Sequence, residues 1–205
     1  MPAKTTALLI GITGSVACGK SAAVEQLAKL GLRVVKIDDI VHRFLKAPNP
    51  VYDLLVARYG RGIIGENGSI TRSELAKHVF ASSESRAEFD SLFYPHVFSQ
   101  LDEELADKRD VETIVESAML FEWGLDKKFD EIWTVVCSRR QQLARHMARN
   151  GITAEESHRI MTSQWSQSRK AASATRIILN TRDLDFLFHE TESALMAARQ
   201  KAITK

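Results

Sequence analysis

The segment from Gly14 to Ser21 has the residue types and spacing of a phosphate-binding loop. Its sequence, GSVACGKS, matches G-x-x-x-x-G-K-[ST] at every fixed position. Glycines let the backbone curl so that successive N–H groups point at phosphate oxygens. Lys20 would bring positive charge to the β and γ phosphates, and the Ser21 hydroxyl can ligate Mg²⁺. We predict that a polyphosphate contacts the whole segment, which we call the phosphate loop: Gly14, Ser15, Val16, Ala17, Cys18, Gly19, Lys20 and Ser21.

The residues around the phosphate loop have the patterns that would position it. The apolar run at 7–12 predicts a buried strand, and the spacing of apolar residues over 20–30 predicts a helix that ends at Gly31. A second strand is predicted at 32–37. Strand, loop, helix and strand form a βαβ unit, so we expect a parallel sheet with the helix N-terminus directed at the phosphate.

Two adjacent carboxylates follow the second predicted strand. Asp38 and Asp39 would lie at the carboxyl edge of the sheet, where ligands bind in open α/β folds. A carboxylate there could accept the proton of an attacking hydroxyl or hold Mg²⁺ through water. His42 and Arg43, one helical turn later, would add positive charge to the same pocket. The alternative is that one of the two acids only caps a helix that begins near Ile40.

Two further polar residues end predicted strands. Glu116 ends the strand at 112–117 and could hold Mg²⁺ through water, although a glutamate at a strand end is often simply solvated. Asn180 follows a short strand at 175–179 and could read adenine through its backbone or side chain. We therefore predict Ser21 and Glu116 as the metal site and Asn180 as a nucleotide contact.

A basic helix is predicted after the strand at 131–136, opened by a capping box at 138–141 and ended by Gly151. Another helix is predicted to begin at the 153–156 motif. Arg145 and Arg149 are four residues apart, so they share one helix face. Arginines on a mobile segment can bring positive charge to a transferring phosphoryl group and exclude water when they close. On pattern alone, the alternative of a solvated basic face is the favoured interpretation. Gln164 and Arg169 are weaker candidates for the same role.

The middle of the chain is predicted to be almost entirely helical. A capping box at 71–74 would open one helix, and Ser85 with Glu88 has the same spacing in the next. Pro95 would start a new helix, since proline is favoured in the first turn. Such a long helical run between two strands of one sheet indicates an inserted subdomain.

Composition limits the possible functions. The chain has 205 residues, 44% of them hydrophobic and 26% charged, with a net charge of +2, which is ordinary for a globular protein and too mild to indicate a nucleic-acid surface. The two cysteines form no disulfide or zinc pattern, and no membrane span or signal peptide is evident, so we expect a cytoplasmic protein. An Asn-Lys-x-Asp motif is absent from the sequence, which disfavours a GTPase.

Several segments, in order along nearly the whole chain, resemble the dephospho-CoA kinase family. The family's T-G-x-x-x-x-G-K-S loop corresponds to residues 13–21, and the L-G pair that closes its first helix corresponds to residues 30–31. Later matches include NGSITRSELAKHVF, AMLFE, QQLARHMARNGITAEESHRIMTSQ and ATRIILN. Among the later segments, three family residues are replaced here, by Tyr94 for histidine, Ala118 for proline and Thr175 for aspartate.

The resemblance also proposes a catalytic base. The family has a D-x-D-x-x-x-[RH] segment in which the second acid has that role. Counted without gaps from the L-G pair, the base falls on Asp38 and the basic position on His42, while Lys36 replaces the first acid. A one-residue insertion would instead assign these roles to Asp39 and Arg43. We prefer the ungapped count.

The resemblance implies a kinase that transfers the ATP γ-phosphate to the ribose 3′-hydroxyl of dephospho-CoA, with Mg²⁺, and Arg72 falls on a matching position of the substrate region. It also implies a three-layer P-loop NTPase core with a parallel sheet, an inserted helical substrate subdomain and a helical lid. The expected core comprises residues 1–40, 110–137 and 172–205; the insert is 41–109, and the lid segment is 138–170.

Two other functions stay open on the sequence. One is a P-loop kinase for another nucleotide or a small hydroxyl acceptor, although the large insert favours a bulky acceptor. The other is an ATP-binding module without catalysis that recruits RNA or protein, which the lack of aromatic and basic clusters disfavours. We expect a monomer or weak homo-oligomer with no nucleic-acid or membrane partner.

Overall fold

A parallel β-sheet lies at the centre of the fold in the computed structural model, which describes residues 7–106 and 110–204. It has five strands in the order β2-β3-β1-β4-β5, and every neighbouring pair is parallel. The strands are β1 (Leu9–Thr13), β2 (Arg33–Lys36), β3 (Thr113–Glu116), β4 (Glu131–Val136) and β5 (Arg176–Leu179). The predicted α/β class with a parallel sheet is confirmed.

Helices connect the strands. They are α1 (Lys20–Lys29), α2 (Ile37–Phe44), α3 (Pro50–Tyr59), α4 (Arg72–Val79), α5 (Ser83–Ala106), α6 (Arg139–Asn150), α7 (Ala154–Thr162), α8 (Gln167–Ser173) and α9 (Leu184–Ile203). Short 3₁₀ turns lie at Arg61–Ile63 and Asp126–Lys128.

The described residues divide into two compact units. Those within Met1–Lys36 and Arg109–Lys205 form the core unit, which contains the whole sheet. Those within Ile37–Lys108 form the helical unit, which contains α2 to α5. The predicted segments 1–40, 41–109 and 172–205 include residues 1–6, 107–109 and 205, which lie outside the described residues.

The core unit is held together by apolar strands packed against helices. Ile10, Ile12, Ile114 and Trp133 are fully buried in the sheet. Helix α1 buries Ala23, Val24 and Leu27, and α9 buries Leu187, Ala194, Leu195 and Ala198 in the same cluster. Burial of this area is the main stabilising contribution to the unit. It fixes the sheet and α1, between which the phosphate loop runs.

Local capping signals in the core unit are confirmed. Ser138 accepts a hydrogen bond from the Gln141 backbone, and the Gln141 side chain accepts from the Ser138 backbone. The same reciprocal pair forms between Thr153 and Glu156 at the start of α7. Gly151 ends α6 in the left-handed conformation, as predicted. Because these contacts join residues that are close in the chain, the local sequence pattern predicts them well.

The prediction that Pro95 starts a new helix is wrong. Helix α5 runs without interruption from Ser83 to Ala106, with Pro95 inside it. Its buried residues continue at a spacing of four across the proline: Phe89, Phe93, Val97 and Leu101. We infer that burial of this apolar face outweighs the one backbone hydrogen bond that proline removes.

Two predicted caps in the helical unit are also wrong. Thr71 precedes α4, but its side chain makes no capping hydrogen bond, and its backbone N–H instead donates to the Ile63 carbonyl. Ser85 lies inside α5, and its N–H donates to the hydroxyl of Ser82, the residue directly before the helix. In both places the backbone N–H donates to a group outside the predicted motif.

Helix α2 begins earlier than predicted, at Ile37, directly after β2. Asp38 and Asp39 are therefore in its first turn, where negative charge is favourable, and not before it as caps. Ile37 and Ile40 are buried, while both acids are exposed. Their carboxylates are therefore open to solvent.

Candidate active site

The phosphate loop joins β1 to α1, as predicted. Gly19 precedes α1 with φ 98° and no side chain caps the helix within the described residues, so its first N–H groups are left for an anion. Ala17 has φ 58°, the one non-glycine residue in the described chain with a positive φ. A left-handed alanine is unfavourable by itself, so the surrounding contacts must hold the loop.

The glycines of the loop are required by close packing. At Gly14, which has φ 153°, a Cβ would lie 2.6 Å from the Cys18 sulfur and 2.7 Å from the Val135 carbonyl oxygen. At Gly19 a Cβ would overlap the side-chain amide of Asn180. Larger residues at either position would therefore displace the loop.

Lys20, Ser21 and Glu116 converge at the carboxyl edge of the sheet. The Lys20 ammonium donates to Glu116 Oε1 at 2.9 Å, and the Ser21 hydroxyl donates to the same oxygen at 3.2 Å. The parallel register aligns Glu116 with Ile12 of β1, which brings its carboxylate beside the loop. The structure thus brings together the three residues that were predicted separately from the loop motif and from a strand end.

A second lysine flanks the same carboxylate. Lys36 ends β2 in register with Glu116, and its ammonium lies 3.9 Å from Glu116 Oε2. Lys36 is the position where the resembled family has an acid. In this chain the carboxylate at the sheet edge is therefore balanced by two ammonium groups.

Cys18 is fully buried within the loop. Burial raises the pKa of its thiol to about 11, against the opposing effect of the nearby Lys20 ammonium. A thiol that stays protonated is a poor nucleophile and a poor metal ligand. Cys18 therefore fills space in the loop.

Asn180 contacts the loop through its side chain. Its amide donates to the Cys18 carbonyl oxygen at 2.8 Å, and the residue is buried. The backbone N–H of Asn180 donates to Val136 across β4 and β5. Asn180 is therefore a structural support of the loop, and its role in reading adenine stays a prediction.

The predicted lid segment carries arginines with different surroundings. In Arg145 the Nη1 atom is buried and has no hydrogen-bond partner within the described chain. Arg149 is exposed, one turn further along α6. Arg139 contacts the His158 ring at 3.0 Å from Nη2 to Nδ1. A buried, unsatisfied guanidinium N–H is costly, so Arg145 is the better candidate for an anion contact.

Two glutamines of the lid segment contact the phosphate loop. Gln142 Nε2 donates to the Val16 carbonyl oxygen at 2.8 Å, and Gln164 Oε1 accepts from the Val16 N–H at 3.2 Å. From the sequence, Gln164 is only a weaker candidate for a phosphate contact, and Gln142 is not predicted as a functional residue. Glutamine side chains have no spacing rule that would reveal such a contact.

An ion pair between Lys170 and Glu122 was not predicted. Lys170 is fully buried, and its ammonium donates to the Glu122 carboxylate at 2.8 and 3.0 Å and to the Ala118 carbonyl oxygen. Burial lowers the pKa of Lys170, and the carboxylate opposes this effect. Glu122 also accepts from the Trp165 N–H at 2.8 Å. The ion pair therefore links α8 to the segment after β3.

The Trp165 ring has two close neighbours. It stacks on Phe121 with 5.9 Å between ring centroids, and the Arg169 guanidinium lies 3.4 Å from its centroid. These contacts restrain the Trp165 ring by packing. Arg169, a weaker candidate for phosphate contact, lies on this ring.

The remaining predicted residues lie in the helical unit. Asp38, Asp39 and His42 are exposed along α2. The Arg43 guanidinium forms an ion pair with Glu104 of α5. Arg72 is exposed at the start of α4.

Within residues 7–106 and 110–204, no group of three or more histidine, cysteine, aspartate or glutamate side chains is arranged to hold a metal ion. No helix in the described part of the chain is long and apolar enough to cross a bilayer.

Comparison with known proteins identifies the family. The family model described as dephospho-CoA kinase matches residues 8–185. The chain belongs to the dephospho-CoA kinase family. It is 33% identical to the dephospho-CoA kinase of Symbiobacterium thermophilum, over 93% of this chain and 81% of that protein. It is 31% identical to the dephospho-CoA kinase of a Nostoc strain, over 93% of this chain and 97% of that protein.

Solved structures agree with the fold. The crystal structure of TT1252 from Thermus thermophilus is similar with a TM-score of 0.82 and 27% identity, over 94% of this chain and 97% of that one. The dephospho-CoA kinase from Campylobacter jejuni is similar with a TM-score of 0.61 and 21% identity, over 93% and 96% of the two chains. The resemblance drawn from the sequence motifs is confirmed.

Proposed function

We propose that this protein is an ATP-dependent kinase that transfers the γ-phosphoryl group of ATP to the ribose 3′-hydroxyl of dephospho-CoA, giving CoA and ADP. The observation that carries the proposal is the convergence of Lys20, Ser21 and Glu116 at the phosphate loop of a chain that belongs to the dephospho-CoA kinase family. This reaction is the last step of CoA formation.

The donor nucleotide would bind at the phosphate loop. The N–H groups in the first turn of α1, which no side chain caps within the described residues, and the Lys20 ammonium are suited to the β and γ phosphates. Lys20 is now paired with Glu116, so nucleotide binding would exchange that ion pair for one with phosphate. A preformed loop and a charged side chain in place lower the cost of binding.

The residues at this edge fit Mg²⁺. Ser21 Oγ and Glu116 Oε1 are 3.2 Å apart, and hydroxyl and carboxylate oxygens are ligands that Mg²⁺ prefers beside phosphate and water. When bound, Mg²⁺ neutralises charge on the β and γ phosphates. Ser21 and Glu116 would hold it, and Lys36 would moderate the charge of the Glu116 carboxylate.

The acceptor hydroxyl would lose its proton to Asp38. Its carboxylate is exposed in the first turn of α2, two residues after β2, so it is open to an incoming hydroxyl. In phosphoryl transfer such a carboxylate accepts or orients the hydroxyl proton. His42, one turn along α2, would balance its charge, and Asp39, Arg43 and Arg72 would contribute to substrate binding.

Arg145 and Arg149 would stabilise charge on the transferring group. The buried Nη1 of Arg145 has no acceptor within the described chain, so a phosphate oxygen would satisfy it. Positive charge that is already desolvated stabilises developing negative charge more strongly than a solvated group does. This supports Arg145 as the main contributor and Arg149 as an auxiliary one.

We also propose a cytoplasmic location and a monomer or weak homo-oligomer. Cys18 and Cys137 are free and buried, which fits the reducing compartment where ATP is available. Size-exclusion chromatography with light scattering measures the oligomeric state.

The test of the proposed function is an acceptor panel. Purified protein with ATP and Mg²⁺ is incubated with dephospho-CoA, adenosine monophosphate, adenosine or a small polyol, and ADP release is measured. We expect turnover with dephospho-CoA and at least about 100-fold lower kcat/KM with the others, because the remote parts of a correct substrate supply binding energy to the reaction. The product is identified as CoA by mass.

Turnover with adenosine monophosphate and none with dephospho-CoA would contradict the proposal and indicate a kinase for another acceptor. If the protein binds ADP but turns over none of the acceptors, it is an ATP-binding module without catalysis. A catalytically impaired control, Lys20→Met, checks that the measured release comes from this site.

A further inference from the structure

We propose that Gln142 and Gln164 are positioning residues that hold both polar backbone groups of Val16, so that the phosphate loop is set in its nucleotide-binding conformation by the lid segment. We call this pair of contacts the Val16 clamp. The inference rests on the proposed function only in that the loop binds a nucleotide.

Each contact of the clamp has one possible direction. The Val16 N–H can only donate, so the Gln164 atom 3.2 Å from it must be the amide oxygen. The Val16 carbonyl can only accept, so the Gln142 atom 2.8 Å from it must be the amide nitrogen. One glutamine therefore acts as an acceptor and the other as a donor.

The Gln142 side chain is itself held in place. Its Oε1 accepts from Gln167 Nε2 at 2.9 Å, and Gln167 Oε1 accepts from the Cys137 N–H at 2.9 Å. Gln142 is 2% exposed. Because this chain of hydrogen bonds ends on the backbone directly after β4, the sheet fixes the position of the Gln142 amide.

The clamp lies beside the strained residue of the loop. Ala17, with φ 58°, lies between Val16 and Cys18. On the far side, the Asn180 amide donates to the Cys18 carbonyl oxygen at 2.8 Å. Side-chain amides thus hold the residues on both sides of the left-handed alanine, and such a conformation persists only where its surroundings over-determine it.

The clamp also links two functional segments. Gln142 lies in the first turn of α6 and Gln164 between α7 and α8, so both belong to the lid segment, residues 138–170. The Ser15 hydroxyl adds a contact to the Trp165 carbonyl oxygen at 3.4 Å. A change in the position of these helices therefore acts directly on the loop that holds the phosphates.

The first experiment measures ADP affinity by calorimetry in full-length Gln142→Met and Gln164→Met variants. Methionine keeps the length of the side chain and removes the amide. We expect the Kd for ADP to rise about three- to tenfold in each, the effect of one lost hydrogen bond. KM for ATP should rise in proportion while kcat changes less than about twofold, because the loop is held equally in ground and transition states.

Gln26→Met is the matched control. Gln26 donates to Glu192 at 2.6 Å within the same core unit and does not contact the clamp. We expect its Kd for ADP to equal that of the wild type. If it rises as much as in the clamp variants, or if both clamp variants keep wild-type affinity, the inference is overturned.

A second pair of variants separates the hydrogen bonds from packing and charge. Gln142→Glu and Gln164→Glu each place one negative charge beside Val16. Gln164→Glu keeps an acceptor for the Val16 N–H, whereas Gln142→Glu loses the donor to the Val16 carbonyl. We expect the Kd for ADP to rise about threefold or more further in Gln142→Glu than in Gln164→Glu. Equal affinities, or the reverse order, would contradict the clamp.

Thermal unfolding checks that each variant is folded. If Gln142→Met, at a buried position, does not fold, the half-buried Gln164→Met and the glutamate pair still decide the question. ADP binding needs no acceptor, so the clamp can hold even if dephospho-CoA is not the substrate. Loss of ADP affinity in the clamp variants, with no wild-type turnover of dephospho-CoA, would overturn the proposed acceptor and support the clamp.

Discussion

The phosphate loop in the core unit and the first turn of α2 in the helical unit carry proposed catalytic groups in opposite surroundings. At the loop, Lys20 and Ser21 are hydrogen-bonded to Glu116, and Val16 and Cys18 are held by side-chain amides. On α2, by contrast, Asp38, Asp39 and His42 are exposed.

This difference corresponds to two ways of building a site. Side chains at the loop are restrained before any ligand binds, so the ordering cost is already met by folding. Exposed carboxylates on α2 keep their solvation and cost the fold little, and their function must come from a bound substrate. We therefore expect changes at the exposed α2 residues to affect catalysis or acceptor binding without loss of stability, and changes around the loop to affect stability or nucleotide affinity as well.

The largest expected effect is on turnover, in Asp38→Asn. Loss of a general base lowers kcat by about 10²–10⁴-fold. ADP affinity and Tm should stay at wild-type values because the side chain is exposed. Steady-state kinetics and calorimetry measure both quantities.

Asp39→Asn is the matched control for that variant, since it makes the same change at the neighbouring exposed position. Its kcat should fall far less. The opposite ranking would assign the base to Asp39 and would show that the segment carries a one-residue insertion relative to the family motif.

The next largest effect is on stability, in Lys170→Met. The change leaves the Glu122 carboxylate, 10% exposed, without its partner. Breaking a buried ion pair costs about 3–5 kcal/mol of unfolding free energy, which corresponds to roughly 10 °C or more in Tm for a chain of this size.

Lys77→Met in the helical unit is its control. Lys77 pairs with Glu74 on an exposed face of α4, and such pairs are worth about 0–1 kcal/mol. The double variant Lys170→Met/Glu122→Leu should recover much of the lost Tm, because no charge is then buried alone. Equal Tm losses in the two lysine variants would remove the contrast between the regions.

A smaller effect, about 100-fold in kcat, is expected for Arg145→Met. Its buried Nη1, which has no hydrogen-bond partner in the described part of the chain, is suited to the transferring group, whereas Arg149 is solvated. Arg149→Met should lower kcat by less than about tenfold. If the two variants lose activity equally, burial of the guanidinium does not distinguish their roles.

The smallest effect is a pH dependence of stability from His146. Burial and the positive charge of Arg149 lower the pKa of its imidazole, which contacts Ser157 at 2.8 Å. Because the folded-state pKa lies below the unfolded one, protonation favours unfolding. Stability is complete above the unfolded pKa of about 6.5 and is lost as the pH falls through the lower folded value.

We expect the Tm of the wild type to fall more between pH 7.5 and pH 5.5 than that of His146→Gln, in differential scanning fluorimetry. His189→Gln, at an exposed position on α9, should keep the wild-type pH dependence. A pH dependence that is unchanged in His146→Gln would assign the effect to other groups.

Sequence reasoning succeeded where the signal is local. The phosphate loop, the parallel sheet and the caps at Ser138 and Thr153 depend on short-range patterns, and all are confirmed. It failed at Pro95, where burial of one face of α5 overrides the local preference of proline. The cap predicted at Thr71 does not form for a related reason, because the Thr71 backbone N–H donates to the Ile63 carbonyl oxygen.

The candidate site divides in the same manner. Lys20 and Ser21 follow from the motif, and Glu116 follows from its place at a strand end. Lys170 and Gln142 have no such signal, because their partners, at 48 and 126 residues distance in the chain, meet them only in the folded protein.

The sequence by itself determined the phosphate loop, the βαβ start of a parallel sheet and, through the order of its motifs, membership of the dephospho-CoA kinase family. These depend on residue types at fixed short spacings, which backbone geometry and hydrogen bonding constrain directly. Only the tertiary structure decided which polar groups are paired. The pairs are Glu116 with Lys20 and Lys36, Glu122 with Lys170, and the side chains of Gln142 and Gln164 with the backbone of Val16. Such contacts depend on which strands are neighbours and where helices pack, and burial of apolar area over the whole unit sets both.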